Sequence, residues 1–161
     1  MKFVASVPAT SANLGPGFDS LGLALNLWNH FELQIGSGGV PITVTTNGEG
    51  ASALPADQTH LAAEILLNEM KRLCAIKNIQ PAMPPLHLVC HNHVPAGSGL
   101  GSSSTAVLGG LMLAHAFVEW VTERNAQLDP QTILQQAAAH EGHGDNVAPA
   151  ILGGLVIVAS D

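Results

Sequence analysis

Between Val94 and Ala106 the chain reads VPAGSGLGSSSTA, which sets Gly97, Gly99 and Gly101 ahead of a hydroxyl run from Ser102 to Thr105. Lacking Cβ atoms, the glycines can take positive φ and let a ligand come close to the main chain. If a helix opens at the hydroxyl run, its first N–H groups have no intrahelical partner and carry partial positive charge. The chemistry on offer is anion binding, of several phosphate oxygens at once. The plainer alternative is a flexible turn leading into a serine-capped helix.

Two phosphate signatures fit poorly. A Walker loop needs Gly-Lys-Ser/Thr, and this segment holds no lysine. A dinucleotide fingerprint matches at Gly97 and Gly99 but has Ser102 at its third position, and the acids that follow, Glu119 and Glu123, fall on helix-like sequence.

Other residues invite chemistry as well. Asn13 and Asp19 sit in a Gly/Pro-rich loop, where each could simply shape a turn. His143, Asp145 and Asn146 follow Glu141 in a second polar loop, where Asp145 or Asn146 could cap a short helix. His91-x-His93 and His140-x-x-His143 have spacings that a zinc ion could use, but neither has a convincing third ligand in sequence.

The segment from Pro95 to Ser104 resembles the phosphate loop of the GHMP kinase superfamily, which includes galactokinase, mevalonate kinase and homoserine kinase. PATSANLGPGFDSLGLAL (8–25) and GHGDNVAPAILGG (142–154) are similar to two further motifs of the homoserine kinases. The three stand in the family's order. The resemblance implies an α+β, two-layer domain of the ribosomal protein S5 domain 2-like type, with a left-handed β-α-β crossover around the phosphate loop. It implies ATP held by Pro95, Ala96, Gly97, Ser98, Gly99, Leu100, Gly101, Ser102, Ser103, Ser104 and Thr105. It also implies Mg²⁺ on Ser102 and Glu141, and L-homoserine contacted by Asn13, Asp19, His143 and Asn146. The implied reaction is in-line transfer of the γ-phosphoryl group to the homoserine hydroxyl, in threonine biosynthesis, with no residue assigned as general base.

The chain departs from the family pattern in three places. The resemblance implies a C-terminal domain supplying arginines for the substrate carboxylate, which is expected to lie beyond these 161 residues, and Arg72 and Arg124 lie in no matching motif. The first of two acidic places before the third motif is Ala139, which leaves Glu141 for the metal. Where the family has an asparagine near the adenine, this chain has His60, whose ring could still contact the base. Residues 1–161 are therefore expected to be a GHMP kinase N-terminal domain cut before its partner domain, with exposed apolar surface, self-association or a homodimer as the consequence.

Composition limits the other classes. Five Lys+Arg stand against twelve Asp+Glu, a net charge of −7, so no basic face exists for nucleic acid. Any bound phosphate must rest on backbone dipoles and a metal. Cys74 and Cys90 form no close pair and read as reduced thiols, which fits a cytoplasmic protein. The apolar tracts around 105–118 and 150–159 fall short of the ~20 residues of a membrane span, and the broken apolar start suits no signal peptide.

The elements needed to position these groups are legible from period and punctuation. Alternation predicts strands over 2–7, ending at Pro8, and over 23–36 with an irregularity after Leu27. Leu61, Ile65, Leu66, Met70 and Leu73 recur at helical spacing, with Asp57 or Thr59 as N-cap. A β-branched run near 42–46, a strand over 86–94, an apolar helix over 106–121, a helix from Asp129-Pro130 to Ala139 and a strand at 155–159 complete the expectation.

Overall fold

The computed structural model describes residues 1–36, 41–80, 83–123 and 128–159; Arg124 and part of the proline-rich break lie outside them. In chain order the elements are β1 (Lys2–Ala12), β2 (Leu21–Ile35), β3 (Ile42–Gly48), α1 (Leu61–Ile76), β4 (Leu86–Asn92), α2 (Ser102–Val121), α3 (Pro130–Glu141), α4 (Val147–Leu152) and β5 (Leu155–Ile157). The strands form one mixed sheet in the order β1-β2-β4-β3, with β5 also on β2. All pairs are antiparallel except β3 with β4, which α1 connects as a β-α-β unit.

The long strand β2 organises the site. Along one edge it carries β1. The other edge is shared: β4 pairs with residues 30–35 and β5 with residues 21–23. Between them β2 has no strand neighbour on that side among the described residues, and this is where the chain leaves β4 for the glycine-rich segment.

Most element ends fall within two residues of the sequence expectation, and the differences that matter for the site are at β1, α1 and α2. β1 does not stop at Pro8 but runs to Ala12, with a register shift between Pro8 and Thr10. It is an outer strand of the sheet, so the N–H that proline lacks removes no ladder bond on the open edge. Neither Asp57 nor Thr59 caps α1: His60 does, its Nδ1 accepting from the Ala62 N–H, while Asp57 accepts from the Thr59 N–H and hydroxyl in a turn just before it. Helix α2 starts at Ser102, four residues earlier than its apolar run, which makes it long and apolar enough to cross a membrane; most of it is instead buried in this fold.

Asp129 caps α3 as expected, accepting from the N–H groups of Gln131 and Thr132, and Gly142 in the left-handed region ends it. The apolar stripe of α1 and the buried side of α2 pack against each other and the sheet in one core, around Phe31, Leu33, Leu66, Leu88, Leu111 and Phe117. This gives the two layers expected. Close approach depends on two helical glycines: a Cβ at Gly109 would lie 2.4 Å from the Phe31 ring and one at Gly110 2.7 Å from the Ala62 carbonyl oxygen. At the far end of the chain Leu152, Leu155 and Ile157 are exposed.

Candidate functional site

The glycine-rich segment adopts the conformation its composition allows. Gly97, Gly99 and Gly101 have φ of 69°, 74° and 67°, a region L side chains rarely enter. A Cβ at Gly97 or Gly99 would meet nothing, because the backbone there borders open space. Gly101 differs, since a Cβ would fall 2.3 Å from Thr10 Oγ1. It is the N-cap of α2, and no side chain caps that helix, contrary to the serine-capped alternative. The N–H of Thr105 returns to the Gly101 carbonyl, so the amides of Ser102, Ser103 and Ser104 are the orphan donors of the first turn.

These groups form one wall of a cavity of about 630 Å³. Of the eleven segment residues singled out from Pro95 to Thr105, all but Pro95 and Leu100 line it. Those two shape the segment from behind: the Pro95 carbonyl accepts from the Ser98 hydroxyl at 2.8 Å, and the Leu100 carbonyl accepts from the Thr10 N–H at 3.1 Å. Asn13, His60, Glu141, His143 and Asn146 line the same cavity, so residues from four distant stretches converge.

Asp19 is the exception among the singled-out residues. It is exposed, outside the cavity wall, and its N–H donates to Asn13 Oδ1 at 2.9 Å. Both residues have positive φ, 57° and 54°, so the turn-forming role weighed for them is realised in this loop.

The His-x-Asp-Asn stretch is tightly held. Asp145 is fully buried; its Oδ1 accepts from His143 Nδ1 at 2.5 Å and from the Asn146 N–H at 3.0 Å. Bonding at Nδ1 to a carboxylate leaves His143 Nε2 as the ring's free nitrogen. Asn146 occupies the N-cap position of α4 without capping it; its Oδ1 accepts from the Thr10 hydroxyl at 2.9 Å.

Two residues before His143, Glu141 Oε2 accepts from the hydroxyls of Ser104 at 2.9 Å and Ser103 at 3.3 Å. Ser102, which the resemblance pairs with Glu141, lines the same cavity, and its main-chain carbonyl accepts from the Thr105 hydroxyl at 2.7 Å. Carboxylate and hydroxyl oxygens are hard donors suited to Mg²⁺, which needs few protein ligands beside water and phosphate oxygens. No group of three or more metal-ligating His, Cys, Asp or Glu side chains occurs among the described residues.

His60 is buried, and burial pushes its pKa below the ordinary histidine value, favouring the neutral ring. Because Nδ1 accepts from Ala62, the proton sits on Nε2, a buried donor with no partner.

Two residues escaped the sequence reading. Thr10 touches both the phosphate-loop segment and Asn146, and Asn29 reaches the N–H groups of His93 and Val94 as well as the Thr105 hydroxyl. The signal for Asn29 was a polar residue at an inward-facing position of a period-two apolar run. Thr10 gave no signal beyond its place near a proline.

Comparison with known proteins shows the family. A model of the GHMP kinases N terminal domain matches residues 62–154. The homoserine kinase of Corynebacterium urealyticum is 40% identical over 156 residues, which are 97% of this chain and 46% of the relative. That of Clavibacter michiganensis is 43% identical over 155 residues, 96% of this chain and 46% of the relative. A Listeria monocytogenes structure described as a homoserine kinase is similar with a TM-score of 0.74 and 38% identity, covering 100% of this chain and 50% of that one. The chain thus spans about half the length of the curated relatives it matches.

Proposed function

The chain belongs to the GHMP kinase family, and on that premise we propose that it is the ATP-binding N-terminal domain of a homoserine kinase, which phosphorylates the L-homoserine hydroxyl to give O-phospho-L-homoserine. The observation that carries this reading is the convergence of a lysine-free, positive-φ glycine loop and an uncapped helix N-terminus with Glu141, His143 and Asn146 around one cavity.

In this account the loop amides and the free N–H groups of Ser102, Ser103 and Ser104 hold the phosphates, where the α2 dipole favours negative charge. Glu141 and the Ser102 hydroxyl would hold Mg²⁺, with Ser104 orienting the carboxylate, and the ion would supply charge neutralisation at the phosphates. The neutral His60 ring contacts the adenine. Asn13, His143 and Asn146 orient the amino acid, with Asp19 on the adjoining loop as the anion for its ammonium group. Positioning and charge neutralisation supply the catalysis, and no side chain is assigned as base.

The test is ADP release from MgATP with L-homoserine and with mevalonate as alternative acceptors, alongside calorimetric titration of ATP. Turnover with homoserine supports the proposal, and turnover with mevalonate alone rejects it. Because the chain covers about half of its relatives, a second reading is nucleotide binding without turnover, seen as ATP affinity with neither acceptor consumed.

A further inference from the structure

We propose that Asn29 is the positioning residue of the phosphate loop: one buried carboxamide fixes both ends of the glycine segment in its anion-binding shape. The inference rests on the nucleotide-binding reading of that segment.

The geometry is that of a clasp. Asn29 Oδ1 accepts from the His93 N–H at 2.8 Å and from the Val94 N–H at 2.9 Å, which fills both lone pairs of the oxygen. Its Nδ2 donates to Thr105 Oγ1 at 2.8 Å, and that hydroxyl donates onward to the Ser102 carbonyl at 2.7 Å. The residues before the loop and the first turn of the helix after it are therefore tied through a single side chain. Asn29 and Thr105 are 2% and 1% exposed, so water does not compete for these bonds.

The place of Asn29 explains the need. The last β2–β4 pair is His30 with His91, and beyond it the ladder stops. Asn29 continues the tie from strand to departing chain with side-chain atoms, where main-chain pairing has ended. Between the two anchored ends lie Gly97, Gly99 and Gly101, which on their own would lose much conformational entropy when a ligand orders them. Anchoring both ends lowers that cost, the general benefit of preorganisation. Few side chains can do this: Ser has one oxygen, Asp has no N–H for Thr105, and an apolar residue leaves the N–H groups of His93 and Val94 unpaired.

The test is calorimetric titration of ATP and of adenosine into the wild-type chain and into N29A, T105V and T105S, with a thermal melt of each. Thr105→Val keeps the side-chain shape and removes only the hydroxyl, so it decides the question if N29A does not fold. Weakening of ATP by about tenfold in N29A or T105V, with adenosine affinity unchanged and Thr105→Ser restoring ATP, supports the proposal. Equal loss for ATP and adenosine in a folded variant, or no loss for ATP, overturns it. A wild-type chain that binds ATP no better than adenosine overturns the phosphate-loop reading itself, and the clasp with it; wild-type preference for ATP that N29A and T105V leave intact overturns the clasp alone.

Discussion

Ser104 donates its hydroxyl to Glu141 across 2.9 Å, so the first turn of α2 and the last turn of α3 meet at one carboxylate. The same oxygen accepts from Ser103, which leaves the other carboxylate oxygen without a hydrogen bond among the described residues. In the proposed function, a carboxylate held from one side by hydroxyls, beside amides suited to phosphate, would share a cation with the nucleotide.

Glu141 should therefore matter for metal-dependent binding more than for the fold. In E141Q the gain in ATP affinity that Mg²⁺ confers on the wild type should fall by about tenfold, while affinity measured with excess chelator stays as it was. Titrations with and without Mg²⁺ give both values, and an unaltered Mg²⁺ gain in E141Q would remove Glu141 from the site.

Gly97 and Gly101 offer a contrast within one loop. Alanine at Gly97 meets only the strain of its positive φ, on the order of 1–2 kcal/mol, because no atom lies within 4 Å of the new Cβ. Alanine at Gly101 adds a clash 2.3 Å from Thr10 Oγ1, the group that holds Asn146. Chemical denaturation should rank G101A as the less stable, and ATP titration should rank it as the weaker binder. The reverse order in both would show that the Thr10 contact does not constrain the loop.

Acid stability should depend on Glu69. Burial acts to raise its pKa, but hydrogen bonds from Arg72 and His115 prevail and hold it at about 2, against an ordinary value of 4.5. A carboxyl depressed in the folded state contributes stability that is complete above pH 4.5 and is lost as pH falls toward 2. Arg72 is half exposed, so solvent screening keeps the contribution on the order of 1–2 kcal/mol. Thermal melts between pH 6 and pH 2 should show a shallower acid loss for E69Q than for the wild type. Parallel curves would exclude this cluster as a source of the acid limb.

Leu152, Leu155 and Ile157 are 61%, 64% and 76% exposed and lie along or beside the short strand β5. Apolar side chains on a strand edge favour association between copies. Light scattering of the chain should give a mass that rises with concentration, and I157E should bring it toward the monomer. A constant monomer mass in the wild type would contradict self-association.

Local signals carried most of the fold. The stripe of Leu61, Ile65, Leu66, Met70 and Leu73 needed only helical period, and Asp129-Pro130 only capping chemistry, so both appear where expected. Pro8 misled because its effect depends on whether a strand is an outer one, which no local pattern reveals. His60 took the cap because Asp57 was already engaged by Thr59.

The site divides in the same way. The glycine loop and the His-Gly-Asp-Asn stretch are contiguous and could be read directly. Asn29 and Thr10 act on residues far along the chain, at 93–105 and at 146, and only folding brings those partners together. The resemblance groups Asp19 with Asn13, and the structure joins the two through a local hydrogen bond from the Asp19 N–H to Asn13 Oδ1, with Asp19 exposed on the loop beside the cavity.

The central claim is that main-chain amides around Leu100 bind the phosphates without a lysine, and backbone N–H resonances report on it directly. In an amide NMR titration with a non-hydrolysable ATP analogue and Mg²⁺, saturable shifts should be largest at Gly97, Gly99, Gly101, Ser102, Ser103 and Ser104. Shifts centred instead on the second, apolar cavity lined by Leu67, Met70 and Cys74, or no saturable shifts in the loop, would contradict it.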